Sequence, residues 1–170
     1  MSPEDCDLVF SFGGAPGRGE GVARDDILRH FDTDDGRGLG LHLLREATSD
    51  RAPVDLEAAI IVCNLFGFGA EHLALLVDLV YEVWHQQHEN VVSMLGKLKN
   101  PDATAAMYHA ATWVPDYLDW DENRALAVKA IWGLGGTPGI EAERALLRLR
   151  EDGDEIVREE AEAQLRRRNA

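Results

Sequence analysis

The residues best suited by type and spacing to do chemistry form one hexapeptide, Trp84-His85-Gln86-Gln87-His88-Glu89. Imidazole is the commonest metal ligand and titrates near neutral pH. On a helix, His85 and His88 stand three apart and share a face. With Glu89 beside them they could offer donors to one zinc or iron ion. The plainer account is a polar helix start, with Glu89 at the end of the helix dipole that favours an acid.

A second stretch carries binding chemistry. Between Trp113 and Glu122 the chain reads Trp-Val-Pro-Asp-Tyr-Leu-Asp-Trp-Asp-Glu. A short turn would be enough to join the flanking helices, and connections longer than needed are usually functional. Aromatic side chains supply binding hot spots and acids supply specificity. Trp113, Asp116, Tyr117, Asp119, Trp120, Asp121 and Glu122 are therefore the expected partner-binding residues. Two other accounts apply to the same residues. Trp113, Tyr117 and Trp120 can fold back as a plug while Asp121 caps the next helix. A calcium site built from Asp116, Asp119, Asp121 and Glu122 is a weaker alternative.

Other residues with chemical potential lack the pattern that would use it. Asp32-Thr33-Asp34-Asp35-Gly36 opens like a calcium loop, but position 43, where the glutamate belongs, is Leu; a turn with N-capping aspartates fits better. Gly17-Arg18-Gly19-Glu20-Gly21 lacks the Gly-Lys-Ser/Thr ending of a phosphate loop. No nucleophile-elbow sequence and no Cys-x-x-Cys is present. Asp78, an acid within an apolar run, fits an exposed helix position. Cys6 and Cys63 are not expected to pair, and Cys63 reads as a small core residue. No catalytic residue and no cofactor is expected.

The elements that would position these residues are helical. Ala125 to Gly135 is apolar on nearly every side, broken only by Lys129, so it must lie inside a layer of helices. Gly133, Gly135 and the following Thr137-Pro138-Gly139 read as its stop. Glu141 to Arg150 is then an outer amphipathic helix with Ala142, Ala145, Leu146 and Leu149 on one face. The unit recurs. Val91 to Gly96 is followed by Asn100 as N-cap, Pro101, and a helix from Asp102 to Ala111 with Ala103, Ala106, Met107 and Ala110 in register. Leu56 to Phe66 is followed by Gly67 and a helix from Glu71 to Val83. Earlier still, Leu39 to Ala47 turns Leu39, Leu43, Leu44 and Ala47 inward. The corners at Gly67, Gly96 and Gly135 give a period of roughly 30 to 40 residues.

Asn90-Val91-Val92-Ser93-Met94-Leu95-Gly96-Lys97-Leu98 and Glu155-Ile156-Val157-Arg158-Glu159-Glu160-Ala161 resemble the bacterial PBS-lyase-like class of HEAT repeat, over about residues 55 to 168. The resemblance implies an all-α fold: an α-solenoid of about four HEAT-like helix pairs in a right-handed stack. Such repeats serve enzymes and binding scaffolds alike. HEAT-like di-iron hydroxylases place His-Glu pairs at the starts of several inner helices. Here only His88-Glu89 matches, and Asn123-Arg124 and Glu155-Ile156 stand at the later starts.

The chain of 170 residues carries a formal charge of −14. That opposes binding to a phosphate backbone, and with it a HEAT-like DNA glycosylase. It suits attraction to a basic protein. The expected organisation is a flexible glycine-rich arm over residues 1–23 and a HEAT-like domain over 24–170. No apolar run reaches the roughly 18 residues of a membrane span and no secretory leader is visible, so a cytoplasmic location is expected. The expected function is a non-enzymatic module that binds a basic protein, in concrete form an immunity or antitoxin inhibitor. The alternative is a metal-dependent lyase or hydroxylase using His85, His88 and Glu89.

Overall fold

The computed structural model describes residues 1–12 and 23–168. Among them the ordered elements are all helical, as the apolar periodicity requires. Among the described residues no helix is long and apolar enough to cross a membrane. The chain divides into two compact units, Met1–His72 and Leu73–Ala170.

The first unit holds α1 (Pro3–Phe10), α2 (Arg24–His30), α3 (Gly36–Asp50) and α4 (Pro53–Phe66). The arm expected over residues 1–23 divides. Its first part is α1, which starts with a capping box between Ser2 and Asp5 and buries Cys6 and Val9. It packs against α4. The glycine-rich segment 13–22 lies outside the described residues. Asp35 caps α3, its Oδ1 accepting from the Gly38 N–H at 2.8 Å. Leu39, Leu43, Leu44 and Ala47 are buried against α4, as the stripe required. Both cysteines are free thiols in the interior, and burial pushes Cys63 up to about 12. Gly67, at φ +94°, ends α4 in a conformation that favours glycine. Arg37 then forks onto Glu71 at 2.5 and 2.7 Å.

The second unit holds α5 (Leu73–Leu79), α6 (His88–Leu98), α7 (Thr104–Thr112), α8 (Ala125–Gly136), α9 (Ile140–Leu149) and α10 (Glu155–Arg168). Helix α8 packs on α6, α7, α9 and α10, which explains its apolar circumference. The inward stripes of α7 (Ala106, Met107, Ala110) and α9 (Ala142, Ala145, Leu146, Leu149) are buried. Asn100 caps the turn before α7 by accepting from the Asp102 N–H at 2.9 Å.

Two glycines that read as helix stops lie inside helices. Gly96 and Gly133 do not end their helices; α6 runs on to Leu98 and α8 to Gly136. They mark where the two helices touch. A Cβ built on Gly96 would lie 3.1 Å from the Gly133 Cα, so the backbones meet with no room for side chains. Beside this crossing runs a groove of about 330 Å³ edged by Lys97, Lys99, Lys129 and Trp132. These are the only lysines in the sequence.

The basic end of α10 is tied to its surroundings. Arg168 reaches to α8, where its guanidinium donates to the carbonyls of Leu134 (3.1 Å), Gly135 (3.1 Å) and Thr137 (2.5 Å), and to Gly139 (3.1 Å). It satisfies carbonyls that a helix end leaves open. Arg167 lies over the Trp132 ring and Arg166 pairs with Glu162.

Candidate functional site

Helix α5 is shorter than the expected 71–83 span. The cause lies in two histidines downstream. His85 Nε2 donates to the Leu79 carbonyl at 2.9 Å, and His88 Nε2 donates to the Glu82 carbonyl at 2.8 Å. These rings engage carbonyls that a continued helix would have used itself. The backbone tightens first, with Val80, Tyr81 and Glu82 bonding three residues back. Residues 80–87 then form a folded connection, so His85 and His88 do not share a helix face. His85 precedes α6 and His88 is its first residue.

The two rings nevertheless meet. Their centroids are 4.3 Å apart with planes 26° from parallel. The stack continues in both directions. Trp84 meets His85 edge-on at 4.9 Å. His88 stacks on Tyr117 at 5.7 Å and receives Trp113 edge-on at 5.0 Å. Trp113 stacks on His109 at 5.4 Å, and His109 lies 4.7 Å from Tyr81. The connection after α5 and the connection after α7 are thus joined by a train of aromatic rings. Between them lies a cleft of about 350 Å³, walled by Trp84, His85, His88, Trp113 and Tyr117, with Pro115 inside. Val83, Gln86 and Asp116 complete its lining, and all three are exposed.

The electrostatics of the cleft follow from its hydrogen bonds. Both Nε2 atoms face carbonyls, so both carry protons. That leaves each Nδ1 as an acceptor. His85 Nδ1 accepts from the Gln87 N–H at 3.0 Å, and His88 Nδ1 accepts from the Tyr117 hydroxyl at 2.9 Å. Burial pushes His88 down to about 4, helped by the neighbouring His85 ring, and lowers His85 and His109 as well. Burial also pushes Tyr117 up to about 12, so its hydroxyl remains a donor. At neutral pH the rings are uncharged.

These bonds bear directly on the metal alternative. All four ring nitrogens of His85 and His88 are engaged by protein groups, and Glu89 pairs with Lys129 at 2.6 Å. Among the described residues no group of three His, Cys, Asp or Glu is placed to hold a metal ion. For the same reason neither histidine has a lone pair available as a general base.

The connection after α7 combines two of the roles read from it. Trp113 and Tyr117 turn inward to the cleft, and Asp121 does cap α8, accepting from the N–H groups of Ala125 (2.7 Å) and Asn123 (3.1 Å). Trp120 stays out. Its side chain is 73% exposed, and its indole N–H donates to the Tyr117 carbonyl at 2.9 Å. Asp116, Asp119 and Glu122 are exposed. Trp84, His109 and Tyr81 belong to the aromatic assembly and were not among the expected binding residues.

Comparison with protein families, with curated proteins and with solved structures finds no match to this chain. Its function has to be read from the cleft itself.

One consequence concerns stability. Tyr117→Phe removes the donor to His88 Nδ1 and leaves a buried acceptor unpaired. The expected loss is about 1–3 kcal/mol with the helical content unchanged. Urea unfolding followed by circular dichroism measures it. A midpoint equal to that of the parent protein would show that the bond carries no weight.

Proposed function

We propose that this chain is a non-enzymatic binding module whose acidic surface, centred on the connection over residues 113–124, receives a basic protein. The observation that carries the reading is the construction of that connection. It holds Trp113 and Tyr117 along an open cleft and leaves Trp120 largely exposed beside exposed acids. Exposed tryptophan with surrounding carboxylates is the composition of a binding hot spot for a basic surface. The net charge of −14 would speed the encounter. The HEAT-like solenoid of about four right-handed helix pairs draws its support from the second unit. There α6 with α7, and α8 with α9, form successive contacting pairs, and α10 packs on both α8 and α9. An inhibitor of the immunity or antitoxin kind is the form that the size and acidity of the chain suggest.

The experiment is affinity capture from the host lysate, with each captured protein identified and then rebound in pure form. The parent is compared with a triple variant, Asp116→Asn, Asp119→Asn and Glu122→Gln. The expected result is a basic protein that rebinds the parent and is released by salt or by the triple variant. A purified partner that is acidic, or one indifferent to all three neutralisations, would refute the reading. Stoichiometric iron or zinc in the purified protein would restore the metal-enzyme alternative.

A further inference from the structure

The cleft between the two connections has a chemistry narrower than that of an acidic surface. Its walls are aromatic: Trp84, Trp113 and Tyr117 line it, with the paired imidazoles between them. Among the described residues no lysine or arginine lines it. The imidazoles have no free nitrogen, since every ring nitrogen is bonded within the protein. An anion would therefore find no cationic side chain among the lining residues and would meet a carboxylate. A purely apolar group would leave that carboxylate without a use. A cation is attracted by both features.

The carboxylate decides which cation. Among the described residues Asp116 has no side-chain hydrogen-bond or ion-pair partner, unlike Asp121, which accepts from the N–H groups of Asn123 and Ala125 as a cap. A quaternary ammonium has no N–H to give it. A guanidinium has a flat face for the indoles and a fork of donors for the carboxylate. A cavity of about 350 Å³ accommodates such a group and its methylene stem. We infer that the cleft receives one arginine side chain, its guanidinium stacked against the indole rings and donating to Asp116. This rests on the reading of the chain as a binder of a basic protein and names the residue that protein inserts.

The test uses the full chain, ¹⁵N-labelled, with the indole N–H signals of Trp84, Trp113 and Trp132 followed by NMR. The probes are the N-acetyl methylamides of arginine, of citrulline and of trimethyllysine. Citrulline keeps the shape and removes the charge. The arginine probe is expected to shift Trp84 and Trp113, leave Trp132 in place, and bind about tenfold more tightly than citrulline. Asp116→Asn, a surface change that leaves the fold alone, is expected to weaken the arginine probe by about fivefold. Three results would overturn the assignment: no shift at Trp84 and Trp113, equal shifts with citrulline, or tighter binding of trimethyllysine. The two readings fail separately. If a basic protein is captured yet the arginine probe leaves the indoles unmoved, the cleft assignment falls alone. If the probe binds and no basic protein is found, the partner reading falls.

Discussion

Acidification from pH 7 to pH 4.5 is expected to remove about 2 kcal/mol of stability through His88 alone. The folded protein holds this ring neutral, with burial pushing it down to about 4 from an ordinary 6.5. Between those two values the unfolded chain takes up a proton that the folded chain refuses. Stability is therefore fully present above pH 6.5 and declines as the pH falls towards 4. His85 and His109 are lowered by burial too and act in the same direction. Glu71, held at about 2 by the Arg37 fork, matters only in a more acidic window, below its ordinary 4.5. Urea midpoints at pH 7, 6, 5 and 4.5 measure the effect. His88→Gln is expected to be less stable at pH 7 and to show a flatter profile. A parent protein equally stable from pH 7 to pH 4.5 would mean that these rings are not held neutral by the fold.

The larger mutational effect is expected at the crossing of α6 and α8. Gly96→Val is expected to cost about 3 kcal/mol, through overpacking at a contact with nowhere to relax. The obstacle is backbone: the new Cβ would stand 3.1 Å from the Gly133 Cα, before its two methyl groups are placed. The helices must part, and the layer of α7, α9 and α10 around α8 must shift with them. Glycine inside a helix is otherwise unfavourable by about 1 kcal/mol relative to alanine, so its presence at both positions reflects the close approach. Gly136→Ala is the control. Its Cβ would meet only the Lys99 Cε, at 3.9 Å, and it is expected to be neutral or stabilising. Equal midpoints for Gly96→Val and the parent protein would show that the crossing is looser than described.

The helices were legible because the stripes on α3, α7 and α9 follow the 3.6-residue period without interruption. The glycine corners misled at Gly96 and Gly133 because a helix stop and a close helix crossing use the same residue. Of the three corners only Gly67 has a left-handed φ; in the stop after α8 that conformation falls on Gly139, at +98°. The end of α5 could not be read from local propensity. It is set by His85 and His88, whose rings bond to carbonyls six residues back. The cleft was half visible. The sequence offered the His85–Glu89 group and the 113–122 group as separate sites, one for a metal and one for a partner. Tyr117 lies 29 residues beyond His88, too far for any local pattern to join the two groups; only the folded chain brings the hydroxyl to the ring.

The groove beside the α6–α8 crossing has a practical consequence. Every lysine of the chain borders it, and none lines the aromatic cleft. Acylating dyes, biotin esters and bifunctional amine cross-linkers will thus modify a single patch besides the α-amino group. The patch shares no residue with the lining of the cleft, and any cross-link through a lysine reports on what lies over α6 and α8.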